Sequence, residues 1–359
     1  MLMRGGTSKG AYFLHDDLPV DPVERDALLL QIMGSPDARQ IDGIGGAHPL
    51  TSKIAVVSRA AAAEGAGAAD VDYLFLQTGV DEAFVTDKQN CGNILAGVGP
   101  FAVERGLVAI DPLATSATVR IRMVNTDSIA TATFPVCDGV PLYTGDTAIA
   151  GVPGVAAAIQ LDFEDTAGSS CGSLLPTGNV VDIVHGVPVS CVDNGMPVVV
   201  MAASDVGITG YESPAELEAN SSLRATIEAI RLEVGPMMNL GDVAKATVPK
   251  LTMVAPPRDG GSLCTRTFIP HRCHEAIGVL GAVSVATAAL LPGTPAATVL
   301  GVNVGPAGAA TLLVVEHPTG TFDVAIEIDL SGEVPVVHRS GIIRTARKLF
   351  DGTVFPREY

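Results

Sequence analysis

In this chain the fold is decided by one stretch, Asn90-Cys91-Gly92-Asn93-Ile94-Leu95-Ala96-Gly97-Val98-Gly99-Pro100-Phe101-Ala102-Val103-Glu104-Arg105-Gly106. It predicts a helix that is apolar around nearly its whole circumference, and the segment from Ala276 to Leu291 has the same character. A helix without a polar face must be surrounded by protein. Because the remaining sequence is rich in strand patterns, we expect a β-sheet to wrap around each helix, in an α+β fold with two similar halves.

The length and the restart of the pattern predict two domains. A chain of 359 residues suits two domains of ordinary size. The pattern restarts in the second part of the chain, where a buried strand is expected at 198–201, so we place one half at 1–150 and the other at 151–340. Gly97-Val98-Gly99 and Gly278-Val279-Leu280-Gly281 are weak echoes of a duplication between the halves.

Local signals place further elements. Asp21-Pro22 and Gly34 predict the start and end of one helix, and Pro214 and Gly235 those of another. Residues 60–70 are of low complexity and predict a hairpin extension or surface loop. Further strands are expected at 52–59, 71–78, 80–86, 118–134 (as a pair) and 152–163, and a loop at 171–182.

Composition excludes several classes of function. The net charge of −17 argues against binding to nucleic acid and to an anionic membrane surface. No signal segment precedes Arg4, and the longest apolar run is too short to cross a bilayer, so we expect a cytoplasmic protein. The six cysteines form no CxxC pair, which disfavours a zinc knuckle and a disulfide framework. The oligomeric state stays open, a homodimer included.

Cys91 lies where the first apolar helix begins. A thiol at a helix N-terminus faces free backbone N–H groups and the positive end of the helix dipole, which favour its thiolate. The N–H groups of Gly92 and Asn93 can also hold a carboxylate. This tetrapeptide therefore suits proton abstraction beside a carboxylate. The alternative is that Cys91 is a small buried side chain without chemistry.

Two further segments carry cations. Met3-Arg4-Gly5-Gly6-Thr7-Ser8-Lys9-Gly10 combines glycines, hydroxyls and a guanidinium, which suits an oxyanion or carboxylate, although a β-turn with solvated charges explains it equally well. It lacks the spacing of a phosphate-binding Walker loop. Lys53 enters a hydrophobic strand, where a desolvated lysine could serve as acid or base. The pattern alone favours the simpler interpretation, an edge-strand lysine that discourages aggregation.

The cluster His271-Arg272-Cys273-His274 resembles a metal site only superficially. Adjacent side chains rarely all point to one ion, and no distant ligand set completes the coordination, so we predict no metal. A carboxylate site near the start of the second apolar helix, with Arg266 close in sequence, is the better interpretation.

Taken together, these segments resemble the methylaconitate isomerase and 4-oxalomesaconate tautomerase family (PrpF-like). The matching elements are Arg4 to Gly10, Ile41 to Gly46, Ser52-Lys53, Asn90 to Asn93, Leu175 to Asn179, and Met238 to Gly241. Gly34 to Gln40 and Ile269 to His274 are most similar to the 4-oxalomesaconate tautomerase branch. The resemblance implies the diaminopimelate epimerase fold, with two pseudo-symmetric halves, an active site in the cleft between them and a C-terminal segment at 341–359 that returns to the first half.

The resemblance also implies the catalytic pair. Diaminopimelate epimerases use two cysteines, one at each central helix; here one alignment places Gly278 at the second position, and another, less favoured, places Cys273 there. In the isomerase family a lysine is the partner of the cysteine, and the matching residue is Lys53. The implied catalytic residues are therefore Lys53 and Cys91, and the implied substrate-binding residues are Arg4, Thr7, Ser8, Gly92, Asn93, Arg266 and His271.

The implied reaction is a proton shift on 4-oxalomesaconate, a small tricarboxylate of aromatic-acid catabolism. It would be either a keto–enol tautomerisation or an allylic double-bond shift, without metal or organic cofactor. The resemblance does not assign base and acid between Lys53 and Cys91. Three alternatives remain: cis–trans isomerisation of 2-methylaconitate, epimerisation of an amino acid, and a non-catalytic role as partner of an aconitase-like dehydratase.

Overall fold

The computed structural model describes residues 1–60, 68–88, 90–300 and 310–357. They form two compact units, one made of residues 1–162 and 344–359, the other of residues 163–343. The predicted hairpin extension at 60–70 lies largely outside the described residues. The predicted division at 150–151 falls in the segment before the strand at which the two units divide.

The elements of the first unit, in chain order, are β1 (Leu2–Gly5), β2 (Ser8–Leu14), α1 (Pro22–Met33), β3 (Lys53–Arg59), β4 (Val71–Thr78), β5 (Val85–Thr86), α2 (Gly92–Leu95), α3 (Val98–Glu104), β6 (Ser116–Met123), β7 (Ser128–Cys137), β8 (Val140–Pro141) and β9 (Ala158–Phe163). Those of the second unit are β10 (Asp182–Val184), β11 (Val187–Asp193), β12 (Pro197–Ala202), α4 (Pro214–Ala219), α5 (Ser221–Met237), β13 (Lys250–Ala255), β14 (Leu263–Ile269), β15 (Arg272–Cys273), α6 (Val279–Leu290), α7 (Pro295–Val299), β16 (Thr311–His317), β17 (Gly320–Asp329) and β18 (Val336–Phe350). The last part of β18 belongs to the first unit.

The first unit is a closed barrel. Its strands pair in the order β18–β1–β2–β3–β4–β6–β7–β9, and β9 pairs again with β18. The short helices α2 and α3 contact its strands from within, as the apolar stretch predicts, although the helix is interrupted at Ala96-Gly97. On the outside, α1 packs against β3 and β4 through Leu29 and Met33. Strand β3 is therefore covered on both faces, which explains its continuous run of buried residues from Lys53 to Val57.

In the second unit, strands lie around the second apolar helix. Helix α6 contacts β11, β12, β16 and β17, and its residues from Gly281 to Leu290 are buried. Two hydroxyls interrupt its apolar sequence, Ser284 and Thr287. Both are used internally: the backbone N–H of Asn194 donates to Ser284 Oγ (3.0 Å), and Asn194 Nδ2 donates to Thr287 Oγ1 (2.8 Å). Among the described helices, none has the length and apolar character needed to cross a membrane.

Several predicted elements are confirmed and three need correction. Asp21 caps α1 and Gly34 ends it, and β6 and β7 pair as expected. The helix predicted from Pro214 to Gly235 is two helices, α4 and α5, because the side chain of Asn220 accepts from Leu223 N and starts a new helix. The strand predicted at 152–163 begins only at Ala158, after a segment with Pro153, which has no N–H to donate. The strand predicted at 80–86 is only Val85–Thr86.

Candidate active site

Lys53 is the first residue of β3 and lies in the middle of the sheet. Strand β3 pairs in parallel with β2 on one side and in antiparallel with β4 on the other. The side chain of Lys53 is buried, with 7% of its surface exposed. The interpretation as an edge-strand lysine is therefore wrong, because strands cover both edges of β3. A buried lysine inside a sheet needs a reason, since few lysines are fully buried without a partner.

The Lys53 amine has two neighbours on β4. Gln77 is its partner in the register, and Nζ donates a hydrogen bond to Gln77 Oε1 at 2.8 Å. The same nitrogen lies 5.1 Å from the centroid of the Phe75 ring, a distance at which the π face attracts an ammonium group. Among the described residues, none places a carboxylate in an ion pair with Lys53.

Cys91 lies at the N-cap of α2, as the sequence predicts. Its thiol makes no capping hydrogen bond and is half-buried. Its carbonyl oxygen accepts from Leu95 N at 2.9 Å and from the hydroxyl of Tyr73 at 3.4 Å. Burial raises the pKa of Tyr73 well above its usual value, and the neighbouring Cys91 raises it further, so this phenol stays neutral. The thiol is thus available for chemistry while the backbone around it is held in place.

Alternate residues of β4 reach both Lys53 and the backbone of Cys91. Tyr73, Phe75 and Gln77 are alternate residues of β4 and share one face. Tyr73 contacts the Cys91 carbonyl, and the other two contact the Lys53 amine. One face of β4 therefore contacts both candidate catalytic residues, the amine of Lys53 and the backbone carbonyl of Cys91.

The turn between β1 and β2 packs against the start of α2. Gly6 has φ +50°, and a Cβ built on it would lie 2.1 Å from Asn93 Oδ1, so a larger residue does not fit. The Asn93 side chain donates to Thr7 Oγ1 (3.1 Å) and accepts from Thr7 N (3.4 Å). The structure thus brings Thr7, Asn93 and the adjacent Gly92 together beside Cys91.

Ser8 has an unused hydroxyl in the same region. It lies on the face of β2 that also carries Gly10 and Tyr12, and Tyr12 donates from its hydroxyl to the Ile94 carbonyl of α2 (2.5 Å), so this face looks into the barrel. Ser8 is 2% exposed, and its Oγ has no hydrogen-bond partner within the described part of the chain. Buried polar atoms are rarely left unpaired, so this hydroxyl is a candidate contact for a ligand.

Arg4 lies on the other face of β1. Its Nη1 donates to Gly6 O (2.8 Å) and to the carbonyl and hydroxyl oxygens of Thr345 (both 3.0 Å). With Tyr143 and Arg347 it lines a cavity of about 300 Å³. Burial lowers the pKa of Arg4, and the nearby Arg347 lowers it further. The structure does not bring Arg4 together with Lys53, since Met3 and Gly5 occupy the inward face of the strand.

Arg266 and His271 belong to the second unit. The buried Arg266 donates to the Glu212 carbonyl (2.6 Å) and the Thr265 carbonyl (2.8 Å), contacts that hold a loop of its own unit. His271 is exposed, and its Nδ1 lies 3.8 Å from Glu228 Oε2, beside a cavity of about 310 Å³. These contacts are internal to the second unit, and the substrate-binding role of both residues stays a prediction.

The two positions considered for a second cysteine differ sharply. Gly278 caps α6, and a Cβ built on it would meet no atom within 4 Å. Cys273 is buried, and burial raises its pKa to about 11, which keeps its thiol protonated. The environment of Cys273 is therefore that of a structural thiol, in keeping with the alignment that places Gly278 at the site.

Sequence reasoning missed Gln77 and the polar network behind it. Gln77 Nε2 donates to the carbonyl of Ser52 (2.9 Å), and Ser52 Oγ donates to Gln40 Oε1 (2.7 Å). Gln40 Nε2 in turn donates to Ser35 Oγ (3.1 Å). A glutamine at the end of a hydrophobic strand carries no signal of this role. The Gly34 to Gln40 segment was singled out only by resemblance, and its structural task is to hold the start of β3.

Comparison with known proteins identifies the family to which this chain belongs. Residues 1–357 match the family described as PrpF protein. The chain is 61% identical over 355 residues to a (4E)-oxalomesaconate Delta-isomerase of Novosphingobium sp. (strain KA1), covering 99% of this chain and 96% of that protein. It is 58% identical over 354 residues to a 4-oxalomesaconate tautomerase of Pseudomonas putida, covering 99% and 94%.

A solved structure supports the fold. The crystal structure of a methylitaconate-delta-isomerase is similar with a TM-score of 0.84 and 35% identity, over 98% of this chain and 93% of that one. The mixed α/β architecture described above is therefore shared with an isomerase of known structure.

Proposed function

Since this chain belongs to the PrpF family, we propose that it is an isomerase that moves a proton on 4-oxalomesaconate. The observation that carries the proposal is that one face of β4 contacts both the amine of Lys53 and the backbone of Cys91. An amine and a thiol in such a position can each accept or donate a proton. The identity to the two oxalomesaconate enzymes extends over nearly the whole chain.

The substrate's own chemistry makes the proton transfer accessible. A C–H between a ketone and an alkene is acidified by both groups. One of Lys53 and Cys91 removes this proton, and the electron pair of the C–H bond moves into a dienolate. The other group returns a proton either at the vinylogous carbon, which shifts the double bond, or at oxygen, which gives the enol. Nothing is oxidised or reduced, and the enzyme ends in a protonation state that a second proton transfer restores.

Hydrogen-bond donors around the pair suit the charge of the dienolate and of the carboxylates. Ser8 offers its unpaired hydroxyl, and Thr7 with Asn93 lines the start of α2 next to Gly92. Donors aimed at developing oxyanion charge lower the barrier when they are already in place. Contributions from Arg4, Arg266 and His271 stay predictions, as does the expectation that the two halves are related by duplication and share the active site.

The test is proton NMR in D₂O with 4-oxalomesaconate and the pure protein. We expect rapid deuterium incorporation with formation of the shifted alkene or the enol. Lys53→Ala and Cys91→Ser should each slow it by ~10²–10⁴-fold, the usual range for loss of a general acid or base. Cys137→Ser, which removes an exposed thiol, is the matched control and should keep the wild-type rate. Near-normal turnover in Lys53→Ala or Cys91→Ser would contradict the assignment.

The same samples separate the alternative functions. Turnover of 2-methylaconitate but not of 4-oxalomesaconate would move the activity to the ketone-free substrate. Silence on both substrates, with co-purification of a dehydratase, would favour the role of a non-catalytic partner. Identity of 58–61% to the oxalomesaconate enzymes, against 36% to a 2-methyl-aconitate isomerase of Shewanella oneidensis, favours 4-oxalomesaconate.

A further inference from the structure

The Gln77 amide is oriented by its own hydrogen bonds. Its Nε2 lies within hydrogen-bond distance of the carbonyl oxygens of Pro49 (3.2 Å), Ser52 (2.9 Å) and Thr78 (3.0 Å), which share its two N–H groups. Carbonyl oxygens only accept, so this end of the amide must be the nitrogen. A flipped amide would place its oxygen against three carbonyl oxygens and its N–H₂ against the Lys53 amine. The oxygen of Gln77 therefore has one available direction, which is toward Lys53.

This oxygen fits Lys53 in either protonation state. An ammonium group has three N–H donors and a neutral amine has two, so both can donate one hydrogen bond to Gln77 Oε1. With one N–H held in this way, the lone pair of the neutral amine, or the proton of the ammonium, points elsewhere in the barrel interior. A carboxylate at position 77 would hold Lys53 equally well, but it would bind the charged form much more strongly.

Other titratable side chains lie on the described elements around Lys53. They are Cys91 at the start of α2, Tyr12 on β2 and Tyr73 on β4. Burial raises the pKa of both tyrosines well above its usual value, so neither supplies a negative charge at neutral pH. The ring of Phe75 contacts the amine through its π face and carries no charge.

We infer that Gln77 is the positioning residue for Lys53, a neutral acceptor that aims the amine and keeps it able to switch between its charged and uncharged forms. The inference rests on the proposed function of Lys53 as acid or base. The network of Ser35, Gln40 and Ser52 lies behind Gln77, and the carbonyl of Ser52 is one of several acceptors of the Gln77 amide.

Two substitutions of Gln77 should move the titration of Lys53 in opposite directions. Gln77→Glu places a negative charge beside the amine, which favours the ammonium form and should shift its titration to higher pH by about one unit or more. Gln77→Leu removes the acceptor and should shift the titration to lower pH. The lysine-dependent limb of the kcat/KM profile should follow in both variants, whether Lys53 is the acid or the base. With Gln77→Leu, kcat should also fall by up to ~10²-fold with little change in KM, because the amine is no longer held in one orientation.

Gln40→Leu is the matched control. Gln40 is a buried amide in the same network, 2% exposed, and it touches Ser52 but not Lys53. Its loss should lower the thermal midpoint about as much as Gln77→Leu does, yet leave the titration of Lys53 at its wild-type midpoint. A purely structural role of Gln77 would give the two leucine variants the same behaviour.

The titration itself is measured without relying on activity. The chain has six lysines, Lys9, Lys53, Lys88, Lys245, Lys250 and Lys348. Their ¹³Cε signals can be followed by NMR against pH in lysine-labelled protein, with the Lys53 signal identified by its loss in Lys53→Arg. Unchanged midpoints in folded Gln77→Glu and Gln77→Leu would overturn the inference. If the midpoints shift in the two variants but the wild-type protein does not isomerise 4-oxalomesaconate, the proposed function is overturned. The coupling between Gln77 and Lys53 would then still stand.

Discussion

At the scale of single residues, the site contains polar groups that are hydrogen-bonded within the protein and polar groups that are not. Gln77 uses both ends of its amide inside the protein. Ser8, by contrast, carries a buried hydroxyl without a partner in the part of the chain that the structure describes. An unsatisfied buried hydroxyl costs stability, about 1–3 kcal/mol, and a ligand that accepts or donates there recovers it. Gln77 is therefore a residue that holds the site in place, whereas Ser8 is a candidate to bind substrate.

Ser8→Ala tests this distinction directly. Because no internal hydrogen bond is lost, we expect the free energy of unfolding in urea to stay equal or to rise by up to about 1 kcal/mol. If the hydroxyl binds the charged substrate, kcat/KM should fall by about 10-fold or more. Ser190→Ala is the control: Ser190 Oγ is buried and donates to the Val180 carbonyl at 2.5 Å, so its loss should destabilise the protein and leave catalysis unchanged. A loss of stability without a loss of activity in Ser8→Ala would show that the hydroxyl is bonded within the protein.

At the scale of elements, the hairpin turn between β1 and β2 is matched to the start of α2. The turn depends on Gly6 for its positive φ and for the space that the Asn93 side chain occupies. The glycine-rich segment that the sequence suggested for anion binding therefore has a packing task as well, and its two interpretations are not exclusive.

Gly6→Ala should disturb both the turn and the site. The positive φ alone costs an alanine about 1–2 kcal/mol, and the new methyl group must also displace the Asn93 amide, so we expect a larger total loss together with a fall in kcat/KM. Gly178→Ala is the matched control, because Gly178 has φ +77° and a Cβ there meets no atom within 4 Å. It should lose only the conformational part and keep full activity. Equal losses in the two variants would mean that Asn93 adapts freely.

Helix α6 offers a second prediction at this scale, on the buried hydroxyl groups inside an apolar helix. Asn194 Nδ2 donates to Thr287 Oγ1 (2.8 Å) and Ser340 Oγ (2.9 Å), and its Oδ1 accepts from Thr166 Oγ1 (2.5 Å). Asn194→Leu should lower the free energy of unfolding by about 3 kcal/mol, because it leaves several buried hydroxyls unpaired. Thr287→Val removes one partner only and should cost about 1 kcal/mol. In urea melts the double variant should lose less than the sum of the two, and strict additivity would contradict a shared network.

At the scale of the whole molecule, hydrophobic periodicity and helix caps predict where helices and strands lie better than they predict which elements pack together. The apolar stretches at 94–106 and 276–291 correctly indicated enclosed helical segments, because a helix without a polar face must be surrounded by protein, although the first stretch forms two short helices, α2 and α3. The character of Lys53 was not predictable in this way. Its burial follows from β2 lying on one side of β3 and β4 on the other, a long-range pairing that a single strand pattern does not contain.

The candidate site shows the same limit. Lys53 and Cys91 were predicted from the ordered set of family motifs, and the structure adds the contacts that β4 makes with each of them. Gln77 was invisible beforehand because an amide at a strand end is equally typical of a solvated residue. The helix break at Asn220 was missed because the prediction rested on Pro214 and Gly235 as the two ends of one helix, whereas the Asn220 side chain caps a new helix through Leu223 N. Local patterns thus identify elements, whereas contacts between distant strands decide which polar groups are used.

The six thiols allow a prediction that covers both units. All six are free, and burial raises the pKa of Cys171 and Cys191 to about 12 and that of Cys273 to about 11. Burial also raises the pKa of Cys264. A raised pKa leaves less thiolate at a given pH, and only the thiolate is alkylated. With iodoacetamide at pH 7.5 we therefore expect the four buried thiols to stay unmodified, and the reactivity of Cys171, Cys191 and Cys273 to grow only as the pH approaches 11–12.

The two remaining thiols should differ in consequence. Cys137 is exposed and Cys91 is half-buried, so both should react in the folded protein. Modification of Cys137 should leave the rate of isomerisation unchanged. Activity should be lost in parallel with modification of Cys91, and 4-oxalomesaconate should slow both the modification of Cys91 and the loss of activity. Peptide mapping by mass spectrometry against residual activity is the measurement, and Cys137→Ser gives the curve for Cys91 alone. Inactivation that proceeds while the Cys91 peptide stays intact would remove this thiol from the mechanism and leave Lys53 to act with another partner.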